Sequence, residues 1–219
     1  MHSPIVSSSS PITVLGGAEL GTTELNISLN HAPSVVAADG GADHALAHGC
    51  DVAAVIGDLD SISKEARSAF ADVIHLVTES DTTDFEKTLS RISAPLILGC
   101  GFLGGRLDHQ MAVVNVLARY AHQPVILLST TDVVFLSPAR MRLAVPVGTR
   151  IGLLPLATVK AQTTGLRWNL DGVDLHPTRW VSSSNEAADD TVSVVADGPL
   201  LITLPLAQLD AAIAAVRAE

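Results

Sequence analysis

Between Ile12 and Leu128, short apolar runs alternate with segments of helical length, and this grammar restricts the fold more than any other feature of the chain. The runs are Ile12–Leu15, Ser34–Ala38, Ala53–Ile56, Val73–Val77, Pro95–Leu98 and Val125–Leu128. Segments near Thr23–Asn30, Ala42–His48, Lys64–Ala71, Asp84–Ile92 and Leu107–Tyr120 separate them. Strands covered on both faces read as continuous apolar runs, and parallel neighbours require a crossover of helical length. The pattern predicts an α/β domain over 12–130, a parallel sheet with flanking helices. Leu107, Met111, Val114 and Leu117 recur at helical spacing, so the last of these helices is expected to turn that stripe toward the sheet.

After Thr130 the grammar changes. Val133–Leu136, Met141–Val145, Arg150–Pro155, Val159–Thr163, Val192–Ala196 and Leu200–Leu204 read as strands between turns rich in Pro, Gly, Asp and Ser. An all-β domain is expected over 131–219, closed by a helix from Leu206 to Arg217 with Leu209, Ile213 and Val216 on one face. Residues 1–11 lack Lys and Arg, and the Ser7–Ser10 run ends at Pro11, so a disordered tail and a cytoplasmic location are expected. No run approaches the roughly 18 apolar residues of a membrane span. With 47% apolar residues the chain has material for a core, while a formal charge of -10 argues against nucleic acid as a partner. Cys50 and Cys100 are too far apart for a CxxC motif and read as small buried hydrophobes.

In an open parallel sheet, ligands sit beyond the carboxyl ends of the strands. Here those ends are acidic and rich in glycine: Asp39-Gly40-Gly41-Ala42, Gly57-Asp58-Leu59-Asp60-Ser61, Asp81-Thr82-Thr83-Asp84, and Gly104-Gly105-Arg106-Leu107-Asp108-His109. Asp58 and Asp60, two apart in a turn, can turn their oxygens the same way toward one hard cation, and Mg²⁺ fits that ligand set. Asp39, Asp81 and Asp84 would share the same edge, a crowd of like charges that calls for metal ions or cationic ligands. Gly104 and Gly105 permit close backbone approach, Arg106 offers a planar fork for phosphate oxygens, and Lys87 can add a point charge. Asp108 and His109 read equally as phosphate-side residues or as first-turn residues suited to the helix dipole. The chain lacks GxxxxGK[ST] and GxSxG, and Gly16-Gly17-Ala18 after the first strand is not a GxGxxG fingerprint, which leaves metal-assisted phosphoryl chemistry. In the β half, Trp168 and Trp180 precede the polar Ser184-Asn185-Glu186 and read either as core or interface aromatics or as the lining of a heteroaromatic ligand site.

Taken in order, the four acidic and glycine-rich motifs, Glu86-Lys87 and the late Ser184-Asn185-Glu186 resemble the thiamin pyrophosphokinase family. The resemblance implies a Rossmann-like N-terminal α/β domain, a C-terminal β-sandwich for thiamin binding and dimerisation, and a homodimer with active sites at the subunit interface. It implies transfer of the terminal diphosphate of ATP to the hydroxyethyl group of thiamin, giving thiamin diphosphate and AMP. Under it Asp58, Asp60 and Asp84 would organise Mg²⁺ and the triphosphate, with Asp39 in the same shell, and Lys87 and Arg106 would neutralise phosphate charge. Gly40, Gly41, Ser61, Gly104, Gly105, Asp108 and His109 would complete the ATP side. Asp81, Asp84, Ser184 and Asn185 would meet thiamin, the last two from the partner subunit, and Asp84 or Asp81 would accept the hydroxyl proton. The alternatives are a diphosphokinase for another acceptor, such as a hydroxymethylpterin, a non-catalytic nucleotide or thiamin sensor, and a plain interaction module with an acidic rim.

Overall fold

The computed structural model describes residues 3–217. It divides into two compact units, Met1–Thr130 and Thr131–Glu219. In the first, the elements are β1 (Val6–Ser7), β2 (Ile12–Leu15), α1 (Thr22–His31), β3 (Ser34–Ala38), α2 (Gly41–Ala47), β4 (Val52–Gly57), α3 (Lys64–Ala69), β5 (Ile74–Leu76), α4 (Asp84–Leu89), β6 (Ile92–Ser93), β7 (Ile97–Cys100), α5 (Leu107–Arg119) and β8 (Val125–Leu128). All pairings along the order β8-β7-β2-β3-β4-β5 are parallel. The chain winds outward from β2 through β3, β4 and β5 on one side and through β7 and β8 on the other. The strand order therefore reverses between β2 and β7, which opens a crevice at their carboxyl ends.

Three expectations change here. The tail is not loose over its described part: Ile5 and Val6 donate backbone hydrogen bonds to the Arg91 carbonyl, and Val6–Ser7 pairs in parallel with Ile92–Ser93. Met1 and His2, also assigned to that tail, lie outside the described residues. Helix α5 buries Val113, Val116 and Leu117, whereas Leu107 and Met111 stand exposed. The buried stripe is thus rotated from the expected one, with Leu117 common to both. Cys50 is half-buried, while Cys100 is the buried thiol, and burial pushes it up to about 12.

The second unit contains β9 (Asp132–Leu136), β10 (Arg140–Ala144), β11 (Arg150–Pro155), β12 (Val159–Thr164), β13 (Asp171–Leu175), β14 (Ser182–Glu186), β15 (Thr191–Ala196), β16 (Leu200–Pro205) and α6 (Leu209–Val216). They form a four-stranded antiparallel sheet, β10-β15-β12-β13, and an antiparallel run of strands, β14-β11-β16-β9, that together make a β-sandwich. Alternation is clean where one face is solvated: Met141 and Leu143 are buried between exposed Arg140, Arg142 and Ala144. Helix α6 rests on β9, β10 and β16 through Leu209, Ala212 and Ala215, with Ile213 and Val216 only half-buried. Strands β13 and β14 carry no apolar alternation. Their backbones are recruited by the neighbours β12 and β11, which overrides weak local propensity.

Candidate active site

A cleft of about 830 Å³ opens at the strand-order reversal, lined wholly by residues of the first unit. Gly16 after β2 and Gly101 after β7 meet across it: the Gly16 amide donates to the Cys100 carbonyl at 2.8 Å and the Ala18 amide to the Gly101 carbonyl at 2.8 Å. A Cβ on Gly16 would lie 2.5 Å from the Gly101 oxygen, so only glycine lets the two loops close to this distance. Phe102 and Phe85, with ring centroids 4.5 Å apart, support the floor.

An acidic wall is built beside the cleft by two turns, and of its carboxylates Asp58 is the one among the lining residues. Asp39 follows β3 with a left-handed backbone, φ 44, that points its carboxylate inward, and Gly57 of β4 leaves room for it, since a Cβ there would stand 2.7 Å from the Asp39 Cβ. Asp39 is 1% exposed, and neither carboxylate oxygen has a hydrogen-bond partner. Burial first, then the charges of Asp84, Asp58 and Asp60, push its carboxyl up to about 7, against a smaller opposing pull from the Ser61 backbone. After β4, Leu59 takes φ 66 and inserts its side chain among Ala37, Ala42, Val55 and Ala66. That buried anchor, set in an αL turn, places Asp58 and Asp60 on the same side. Carboxylate oxygens of Asp39, Asp58 and Asp60 lie within 4.8 Å of one another. A buried carboxylate with unspent lone pairs, joined by two others of the same charge, is a donor set that suits a hard divalent cation.

Lys87 sits beneath this wall on α4, 2% exposed. Its Nζ donates to Asp58 Oδ2 at 2.5 Å and Asp84 Oδ1 at 3.0 Å. Burial alone would depress this ammonium, but the two carboxylates outweigh it and hold it above the usual lysine range. The hydrogen bond from Lys87, in turn, draws Asp58 below the ordinary carboxylate value. Asp84 lines the cleft but lies outside the Asp39, Asp58 and Asp60 group, its Oδ1 committed to Lys87.

The remaining site residues divide between the cleft and elsewhere. Gly40, Ser61, Gly104, Gly105, Arg106 and His109 line it. Gly104 and Gly105 have φ 106 and 67, so the turn into α5 depends on glycine. Arg106 and Asp108, both exposed, form an ion pair at 2.6 Å, which raises the arginine and lowers the aspartate. Gly41 supports the site from behind as the first residue of α2, packed against the Leu15 carbonyl. Asp81 is exposed and is not among the lining residues. Ser184 and Asn185 belong to β14 in the second unit, Ser184 exposed and Asn185 buried.

Sequence reasoning missed Asp43 and His44, both in the cleft wall. Asp43 accepts the Ser63 amide at 3.0 Å, bracing the turn after Asp60, and His44 Nε2 is hydrogen-bonded to the Ala18 carbonyl at 2.8 Å. Their position in the helix directly after Asp39-Gly40-Gly41 was the available signal. His48 stands four residues from His44, a spacing that zinc sites use, but the bond to Ala18 engages His44 in holding a loop.

Residues 25–128 match the thiamin pyrophosphokinase catalytic domain, and residues 140–201 match the thiamin pyrophosphokinase vitamin B1 binding domain. The chain belongs to the thiamin pyrophosphokinase family. Thiamine pyrophosphokinase 1 of Oryza sativa is 34% identical over 170 residues, 68% of this chain and 64% of that protein. Thiamine pyrophosphokinase 2 of Arabidopsis thaliana is 32% identical over the same shares. The chain thus spans about 64% of the length of the curated family members it matches. Solved structures share the fold: the thiamin pyrophosphokinase from Candida albicans has a TM-score of 0.78 at 16% identity, covering 93% of each chain. That from Geobacillus thermodenitrificans has 0.76 at 22% identity, covering 89% of this chain and 96% of its own.

Proposed function

We propose that this protein is a cytoplasmic, Mg²⁺-dependent thiamin pyrophosphokinase that moves the terminal diphosphate of ATP to the hydroxyethyl oxygen of thiamin, releasing AMP. The observation that carries this reading is the buried, unpartnered Asp39 carboxylate grouped with Asp60 and with Asp58, which lines the crevice, in a chain of this family. Asp39, Asp58 and Asp60 would hold the cation, with Asp84 beside them. When bound, Mg²⁺ supplies charge neutralisation for the triphosphate and for the AMP that leaves.

The protein's own groups do the rest by positioning and charge. Gly104 and Gly105 admit the phosphates to the backbone, the amides at the start of α5 and the Arg106 fork take their oxygens, and Gly40, Ser61, Asp108 and His109 border the nucleotide. Lys87 contributes its positive charge from below, where it balances Asp58 and Asp84. The thiamin oxygen forms a bond to the β-phosphorus as the bond from that phosphorus to the α,β-bridging oxygen breaks. The hydroxyl proton passes to a carboxylate. Asp84, which lines the cleft, serves this role better than Asp81, which does not. Trp168 and Trp180, both about half exposed, and Ser184 present an aromatic and hydrogen-bonding surface to thiamin, contributed by the partner of a homodimer.

The test is incubation of the purified protein with thiamin, ATP and MgCl2, with products identified by mass spectrometry. Thiamin diphosphate and AMP in equal amounts, both lost with EDTA, are expected. AMP formed only with a pterin acceptor, or no turnover of a nucleotide that nevertheless binds, would overturn the assignment in favour of another acceptor or of a sensor.

A further inference from the structure

We propose that Asn185 is a positioning residue, fixing the main chain of Trp168 so that its indole is presented in one orientation, and that it does not touch substrate. The proposal rests on the reading of Trp168 as part of the acceptor surface.

The side-chain amide of Asn185 is 2% exposed, and its hydrogen-bonding capacity is spent inside the protein. Oδ1 accepts the backbone amides of Trp168 at 3.2 Å and Glu186 at 3.0 Å, while Nδ2 donates to the Trp168 carbonyl at 2.7 Å and the Ser182 Oγ at 3.1 Å. An asparagine amide has two donors and two acceptor lone pairs, so four bonds leave nothing for a ligand. Two of the four close on a single residue, clamping the peptide groups on both sides of the Trp168 Cα.

The rest of the 165–170 turn is braced in the same way. The Arg167 amide donates to the Glu186 carbonyl at 2.9 Å, and Asn169 Oδ1 accepts the Leu166 amide at 3.1 Å. Gly165, at φ 79, lies so close to the Thr191 carbonyl that a Cβ would stand 2.2 Å from its oxygen. Above this fixed base Trp168 is 55% exposed, and the Arg167 guanidinium, itself tied to Glu186 at 2.7 Å, lies over the indole ring at 4.8 Å. A large apolar ring held out to solvent on an immobilised backbone has already lost the conformational entropy that stacking on a ligand would otherwise cost.

Asn185→Asp tests the clamp, because the carboxylate keeps the shape and the acceptors but loses the donors to the Trp168 carbonyl and Ser182. In a Trp180→Phe background, Trp168 is the sole indole, and its time-resolved fluorescence anisotropy reports local motion. Asn185→Asp is expected to add a fast depolarisation component and to raise the KM for thiamin about fivefold or more, with the KM for ATP unchanged. In a Trp168→Ala background the same substitution should change the thiamin KM no further. An equal KM increase with and without Trp168 means direct contact with substrate, and unchanged anisotropy means no clamp; either overturns the proposal. Should Asn185→Asp not fold, Ser182→Ala removes one partner of the amide and is expected to shift anisotropy in the same direction by less. If Trp168→Ala alone leaves the thiamin KM unchanged, the acceptor reading of Trp168 fails, while the anisotropy of Asn185→Asp still decides whether the clamp exists.

Discussion

Asp39 is the residue in which burial and charge meet most directly. Its folded pKa of about 7 lies above the ordinary 3.8, so between those values the metal-free folded protein binds a proton that the unfolded chain releases. Stability without metal therefore falls as pH rises from about 4 to 7, by on the order of 4 kcal/mol, and stays lower above that window. Asp39→Asn removes the titration. Urea unfolding in EDTA at pH 5 and pH 8 should show a clear loss at the higher pH for the natural sequence and a much smaller one for the variant; equal slopes would mean Asp39 is not the group responsible. The residue types at this wall were legible because Asp and Gly cluster after each apolar run. What each carboxylate does was not legible, because it depends on partners distant in sequence: Lys87 reaches back 29 positions to Asp58 and so accounts for one of the oxygens that the motif alone offered to metal.

At the scale of elements, two glycines in the motifs serve opposite purposes. A Cβ on Gly41 would sit 2.0 Å from the Leu15 carbonyl oxygen, rigid backbone that cannot yield, so Gly41→Ala must displace α2 from β2. Gly105 has open space around its missing side chain, with nothing within 4 Å, and is required only for φ 67. Gly41→Ala should cost about 3 kcal/mol or more in urea unfolding, and Gly105→Ala only about 1–2 kcal/mol, while Gly105→Ala raises the KM for ATP. Comparable losses of stability from both would show that the turn before α5 is packed rather than merely bent. Element type was readable for the strands of the parallel sheet, whose apolar runs match β2, β3 and β8 to the residue. It was unreadable for β14, where Ser-Ser-Ser-Asn-Glu has no apolar face and becomes a strand only by pairing with β11.

For the whole molecule, the formal charge of -10 and the carboxylate cluster make divalent cations a strong lever on the folded state. A cation bound only by the folded chain, at a hundred times its dissociation constant, adds about 2.7 kcal/mol, a rise in Tm of roughly 5–10 °C for a chain of this size. MgCl2 should produce that rise in differential scanning fluorimetry, and NaCl of equal ionic strength should not, because general screening acts on all surface charge. Asp60→Asn, which removes an exposed ligand without disturbing the Lys87 pair, should abolish most of the shift. A full shift in that variant would place the cation elsewhere.

Periodicity and residue type, both local properties, were enough to specify a parallel α/β unit followed by a β unit and the edge at which chemistry concentrates, while the family followed from the resemblance of its ordered motifs. They suffice because strand burial and crossover length leave few arrangements for such a chain. Tertiary structure alone decided that Asp39 is buried without a partner, that Leu59 turns Asp58 and Asp60 together by anchoring in the core, and that Lys87 is neutralised from two sides. It also decided that Asn185 is saturated by a turn beginning some 20 residues earlier. The physical reason is common to all four: burial and hydrogen-bond satisfaction are set by groups that only folding brings within reach of one another.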